Sequence, residues 1–211
     1  MMLKMENKNS KETKQFHGYF LAFNELIFSL IGIFGALVCV LTMVIAIPIP
    51  VTQGFINIGD AGVMITALLF GPVIGSVAGG IGSGLADILL GYPLFAPGTF
   101  IIKAIEGLII GLIADPKRYG EKLNYRDIIG VVVGGLWMSF GYLLYEILLF
   151  GLGPALYELL LNGIIQFGIS GLISLIFIAG TRNIINQNLP QVFEKVFLTI
   201  ELEDTQSVQK T

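Results

Sequence analysis

Apolar and polar positions alternate along this chain in blocks rather than in the short periods of a soluble fold, and six apolar blocks stand out. The first covers residues 26–47, enough at helical rise to cross a hydrocarbon core of about 30 Å, and Pro48 and Pro50 end it. An uncharged loop over 49–57 leads to a short second block at 58–70, which Gly71-Pro72 separates from a third at 73–90. A second uncharged loop, GYPLFAPG (91–98), precedes a short fourth block at 99–114, and a charged loop over 115–127 follows. The fifth and sixth blocks cover 128–150 and 155–179. Short, glycine-interrupted spans are tolerated where neighbouring helices or a cavity satisfy the backbone. The pattern predicts an all-α integral membrane fold of six transmembrane helices over 26–182, between an N-terminal tail (1–25) and a C-terminal tail (183–211). The aromatic stretch FHGYFLAFNE suits the membrane interface, and QVFEKVFLTIELE has the character of an amphipathic surface segment.

Composition strengthens this reading. Hydrophobic residues make up 55% of the 211 and charged residues 13%, against about 25% charged in soluble domains. The 27 glycines suit close helix packing. A net charge of −3 argues against a nucleic-acid partner. A single cysteine, Cys39, allows no intrachain disulfide, and the single histidine, His17, argues against a His-based triad or multi-His metal site. Residues 1–16 are too polar for a signal peptide. With six spans, eleven of the twelve Lys and Arg fall on one side: Lys4, Lys8, Lys11 and Lys14; Lys117, Arg118, Lys122 and Arg126; Arg182, Lys195 and Lys210. The positive-inside rule then places both termini in the cytoplasm and the uncharged loops outside. Lys103 is the one basic residue expected within a span.

The stretch from Gln53 to Glu106 carries the candidate chemistry. It sets Asn57, Asp60, Asp87, Lys103 and Glu106 among apolar residues and glycines. An ionisable group at membrane depth costs roughly 2.5–3.5 kcal/mol on insertion scales, so each is a candidate functional residue. Glu146, Asn162 and Gln166 join them in the predicted outer half, giving an outward-facing pocket closed below by apolar helix. Competing roles exist for several. Asp60 sits at a helix start, where a carboxylate caps free N–H groups. Lys103 and Glu106, three apart, can pair with each other and with Asp87. Asn162 and Gln166 share a face, so that one can serve as helix-to-helix glue. Glu158 is expected at the outer interface with no special role, and Trp137, Tyr142 and Tyr145 in packing or at the interface. Tyr142 shares a face with Glu146 and can stack on a planar ligand; Tyr92 and Phe95 are candidates for an aromatic lid. The pairs Gly75/Gly79 and Gly80/Gly84 predict packing within the subunit, whereas Gly32/Ala36 on the first span can dock a second membrane protein.

No phosphate-binding loop or dinucleotide fingerprint is present, and no cofactor or metal is expected. A carrier driven by protons needs titratable groups along a whole path. Here they gather at one end.

The stretches PIPVTQGFINIGDAGVMITALLFGP and GGIGSGLADILLGYPLFAPGTFIIKAIEGLIIGLIAD resemble the substrate-binding S components of energy-coupling factor (ECF) vitamin transporters, in the riboflavin-type or pyrimidine/pyridoxine-type branch. The resemblance covers roughly 26–182 and is most specific in INIGD, GLADILLGY and IIKAIEGLIIGL. It implies a six-helix fold, a loop after helix 1 covering an outward-facing pocket, a vitamin-like ligand, a transmembrane coupling subunit and two cytoplasmic ATPases. It also implies docking through small residues on helix 1, for which Gly32 and Ala36 are the nearest equivalents of the family's alanine-x-x-x-alanine. The expected function is therefore vitamin capture for ATP-driven uptake, with Asn57, Asp60, Asp87, Tyr92, Phe95, Lys103, Glu106, Tyr142, Glu146, Asn162 and Gln166 as the binding residues. The alternatives are a stand-alone ion-coupled secondary transporter and a membrane enzyme using Asp60, Asp87 or Glu106.

Overall fold

The computed structural model describes residues 15–16, 19–20, 25–52, 54–119 and 122–197. The expectations for Lys4, Lys8, Lys11, Lys14, His17 and Lys210, and for the last part of QVFEKVFLTIELE, lie outside these residues.

A two-residue ribbon, β1 (Gln15–Phe16) with β2 (Tyr19–Phe20), precedes the bundle. Helix α1 (Glu25–Val44) ends three residues before the predicted limit, and the uncharged loop after it is a β-hairpin. Strand β3 (Ala46–Ile49) pairs antiparallel with β4 (Gly54–Asn57), from Ala46 opposite Asn57 to Ile49 opposite Gly54. Pro48 explains the early stop. It lacks an N–H and its ring opposes continuation of a helix, yet it fits a strand in a two-stranded ribbon.

Helix α2 (Gly59–Phe70) is buried along its whole length. It ends at Gly71, whose φ of 82° favours glycine, and Pro72 opens α3 (Pro72–Leu90) where a missing N–H costs nothing. Helix α4 (Ala96–Ala114) and the single turn α5 (Pro116–Tyr119) follow. Helix α6 (Tyr125–Phe150) begins three residues earlier than predicted because Asn124 and Asp127 form a capping box. The Asn124 side chain accepts from the Arg126 N–H at 2.8 Å, and Asp127 Oδ2 accepts from the Asn124 N–H at 2.9 Å. Only Gly151 (φ 87°) separates α6 from one long helical segment: α7 (Leu152–Leu160), a π-helical turn (Leu161–Gln166) and α8 (Phe167–Asn188). Helix α9 (Pro190–Val196) packs back on α1 and α8.

All six predicted apolar blocks are thus helical. Five helical segments are long and apolar enough to cross a membrane, whereas α2, at 12 residues, rises about 18 Å. Apolar side chains such as Ile33, Leu136, Leu148, Leu172 and Ile176 are exposed around the bundle, as a lipid-facing surface requires.

The glycines set helix spacing. A Cβ on Gly107 would lie 2.4 Å from the Gly75 carbonyl oxygen, and one on Gly82 would lie 2.4 Å from that of Gly35. Helix α3 therefore touches α4 and α1 backbone to backbone. Gly79, Gly80 and Gly84 lie in the same contacts, which gives the third block its predicted role in packing within the subunit. A Cβ on Gly32 would meet nothing within 4 Å, and Gly32 and Ala36 are both exposed on α1.

Arg182 corrects one expectation. It is not a tail residue but a second buried cation, 1% exposed and within α8, so Lys103 is not the only one. Its Nη1 and Nη2 donate to Asp127 at 2.8 and 3.0 Å, and Nη2 also donates to the Leu68 carbonyl at 2.6 Å. This pairing lets the last helix run beyond 179, the predicted limit, to Asn188. Replacing one partner of a buried pair leaves an uncompensated charge, so Arg182→Met is expected to cost about 3–5 kcal/mol, whereas Arg182→Met with Asp127→Leu recovers most of that. Thermal unfolding of the two variants in one detergent measures the difference.

Candidate functional site

The buried polar side chains gather at the end of the bundle that carries the β3–β4 hairpin. They come from the C-terminal ends of α1, α3 and α6, the N-terminal ends of α2 and α4, and the α7–π segment. Together they line a small cavity that is open on one side. Its lining includes Asn57, Asp87, Phe95, Lys103, Tyr142, Asn162 and Gln166, seven of the residues expected from the sequence. Thr42, Gly54, Phe55, Ser83, Thr99 and Glu158 complete it. A concave site lined by a few placed polar groups and aromatic rings is the common form of a small-molecule site.

The remaining expected residues stand behind or beside this lining. Asp60 and Glu106 are fully buried and hold the Lys103 ammonium between them. The Lys103 Nζ donates to Asp60 Oδ1 and, at 3.1 Å, to Glu106 Oε2. It also lies 5.5 Å from the centre of the Tyr142 ring, within cation–π range. Asp60 makes no helix cap. Its other oxygen, Oδ2, accepts from Gln166 Nε2 at 3.1 Å, while the Asn57 side chain accepts from the Gly59 N–H at 2.8 Å and satisfies the start of α2. Gln166 Oε1 in turn accepts from the Asn57 backbone N–H at 2.9 Å, tying the hairpin to the π turn. Of the pair expected to include one glue residue, Gln166 takes that part. The wider i→i+5 turn places Asn162 and Gln166 together on the cavity, a use of π-helical geometry frequent at functional sites.

Asp87 stays apart from the triad's hydrogen bonds. It lies beside Thr99, whose Oγ1 accepts from the Tyr142 hydroxyl at 3.0 Å. Phe95 is 6% exposed and stacks on Phe150 at 5.8 Å. Tyr92 does not line the cavity but packs on Phe55, which does, at 4.8 Å. Tyr145 donates to the Leu94 carbonyl at 2.7 Å and Trp137 to that of Ile102 at 3.1 Å, consistent with packing roles.

Glu158 is the residue the sequence reading missed. It was expected at the interface, yet it is 3% exposed and lines the cavity beside Thr52, Asn162 and Glu146. Glu146 is fully buried behind it. The signal that could have found Glu158 is its spacing: Asn162 and Gln166 follow at four-residue intervals, so one helical face carries all three. Thr42, Ser83 and Thr99 gave no signal, since hydroxyl side chains are common within spans. Among the described residues, no group of three or more His, Cys, Asp or Glu is placed to hold a metal ion.

Comparison with known proteins bears on this geometry. The family model described as ECF-type riboflavin transporter, S component, matches residues 25–185. A Pyrococcus woesei protein, described as an uncharacterized protein in gap 3'region, is 44% identical over 137 residues, which are 64% of this chain and 87% of that protein. A UPF0397 protein of Streptococcus pneumoniae is 36% identical over 104 residues, 47% of this chain, and the chain spans 54% of that relative's length.

The triad makes a direct prediction. Lys103→Met leaves Asp60 and Glu106 buried without their cation and is expected to cost about 3–5 kcal/mol. Tyr142→Phe removes only the hydroxyl link to Thr99 and is expected to cost about 1 kcal/mol. Thermal unfolding in detergent ranks the two.

Proposed function

The chain belongs to the family of ECF-type riboflavin transporter S components, and we propose that it binds a vitamin or vitamin precursor for an ECF-type ABC importer. It is a multi-pass membrane protein of a transporter family, not of an enzyme family. In this reading the hairpin end of the bundle faces outward, with both termini in the cytoplasm, and the solute belongs to the riboflavin, pyridoxine or hydroxymethylpyrimidine class. A transmembrane coupling subunit and two cytoplasmic ATPases supply the energy for uptake.

The observation that carries this reading is the gathering of the buried acids, amides and Lys103 at the hairpin end. Beneath the cavity, Met64, Leu68, Ile74, Ile110, Val131 and Ile178 form a buried apolar core. Buried charge reappears at the far end as the Asp127–Arg182 pair. A chain built this way captures a solute but offers it no line of charged groups across. That favours a binding subunit that depends on partners over a stand-alone ion-coupled carrier, which needs polar groups along its route. The exposed face of α1 at Gly32 and Ala36, with open space where a Gly32 side chain would stand, suits close approach by the coupling subunit.

Two measurements test the proposal. Mass spectrometry of small molecules released from the purified protein, with calorimetric titration against a vitamin panel, is expected to find one ligand per chain, and Asp87→Ala is expected to lose it. A protein that arrives empty and binds none of the panel would rule the reading out. Ala36→Trp is expected to abolish uptake in cells holding the partner subunits while leaving binding within about twofold; equal loss of both contradicts docking through α1.

A further inference from the structure

The hydrogen-bonding balance of the cavity narrows the solute. This inference rests on the binding-subunit reading and goes beyond it. Five acids, Asp60, Asp87, Glu106, Glu146 and Glu158, are buried at this end of the bundle against one base, Lys103. Lys103 already bridges Asp60 and Glu106. Three further donors of the lining are also engaged within the protein: Gln166 Nε2 on Asp60, Asn57 Nδ2 on Gln166 and the Tyr142 hydroxyl on Thr99.

The acceptors are not. Asp87 Oδ2 and Glu158 Oε2 have no hydrogen-bond partner, although both residues are only 3% exposed, and the Glu146 carboxyl has only the neighbouring Glu158 carboxyl to bond with. Asp87 and Glu158 line the cavity itself, and Glu146 stands next to Glu158. Buried acceptors left without donors are costly, and paired acids more so. Among the described residues no group of three or more His, Cys, Asp or Glu is placed to hold a metal ion. The group that would satisfy these oxygens is a set of N–H donors, and a positive charge on it would offset the excess of acid.

We infer that the solute is a small nitrogen heterocycle bearing an amine or amidine-like edge, seated with its N–H groups against Glu158, and not an uncharged ring system such as a flavin. The aromatic rings of Phe55, Phe95 and Tyr142 supply apolar and π surface for the heterocycle, and the Asp87 oxygen receives a further donor from it.

Matched pairs of probes test this. Calorimetry on the full-length protein would compare pyridoxamine with pyridoxine, an amino- with a hydroxy-substituted hydroxymethylpyrimidine, and riboflavin, in wild type, Glu158→Gln and Glu146→Gln. The expected result is that an amine-bearing compound binds tightest, at least about tenfold above its hydroxyl partner. Its affinity is then expected to fall about 100-fold in Glu158→Gln, the scale of losing one partner of a buried charged hydrogen bond. Both Gln variants relieve an acid pair, so ligand-free melting temperatures are expected to hold or rise, which separates lost recognition from lost folding. Binding in which riboflavin or a hydroxyl partner equals or exceeds the amine overturns this inference and leaves the binding-subunit reading intact. So does amine binding that is unchanged in both variants. No binding by any probe sinks the binding-subunit reading, and this inference with it.

Discussion

A charge inside a lipid-immersed bundle must be paired or it destabilises the fold, and the arrangement of this protein follows from where it pairs its charges. Two centres do so. At the hairpin end Lys103 joins Asp60 on α2 to Glu106 on its own helix. At the far end Arg182 on α8 holds Asp127 on α6 and the Leu68 carbonyl near the end of α2. The short, enclosed helix α2 is therefore clamped at both ends by cations from other helices. It has no lipid-facing side, and Gly71-Pro72 ends it after 12 residues.

Around this axis the glycines allow α3 to lie against α1 and α4 with backbone contact at Gly82–Gly35 and Gly107–Gly75. Close packing fixes the positions of Ser83 and Asp87 on α3 and of Thr99 and Lys103 on α4, which face the same cavity. The hairpin is anchored to this wall by Gln166, which takes the Asn57 N–H with one end of its amide and gives Asp60 a hydrogen bond with the other. One side chain thus links the covering ribbon, the ion triad and the π turn. Rigidity of the wall and placement of the cover have a common origin.

Much of this was legible in the sequence because hydropathy and proline are strong signals. The six apolar blocks, the stop near Pro48 and the turn at Gly71-Pro72 were each readable, as was the gathering of Asn57, Asp87, Lys103 and Gln166. The illegible parts depend on pairing across the chain. A hairpin in the 49–57 loop follows from the register of Ala46–Ile49 on Gly54–Asn57, which no local pattern announces. Arg182 looked like a tail residue because its partner, Asp127, is 55 positions away. Asp60 had capping open to it as a local role and does not take it, because Asn57 supplies the cap while Asp60 pairs with Lys103. Glu158 was assigned to the interface by its position near a span end, whereas α7 turns it inward beside Glu146. Side-chain spacing shows which residues share a face, but not which face meets the cavity.

The central claim is that the hairpin-end cavity opens to the outside and holds the solute. Its most direct test is cysteine accessibility. Cys39 is the only cysteine in the sequence, so Cys39→Ala gives a clean background, and Ser83→Cys places a thiol in the cavity wall. A membrane-impermeant maleimide applied to intact cells is expected to label this thiol, and the solute that copurifies with the protein is expected to block the labelling. Labelling only after the cytoplasmic side is exposed, or labelling that the solute leaves unchanged, would contradict the account.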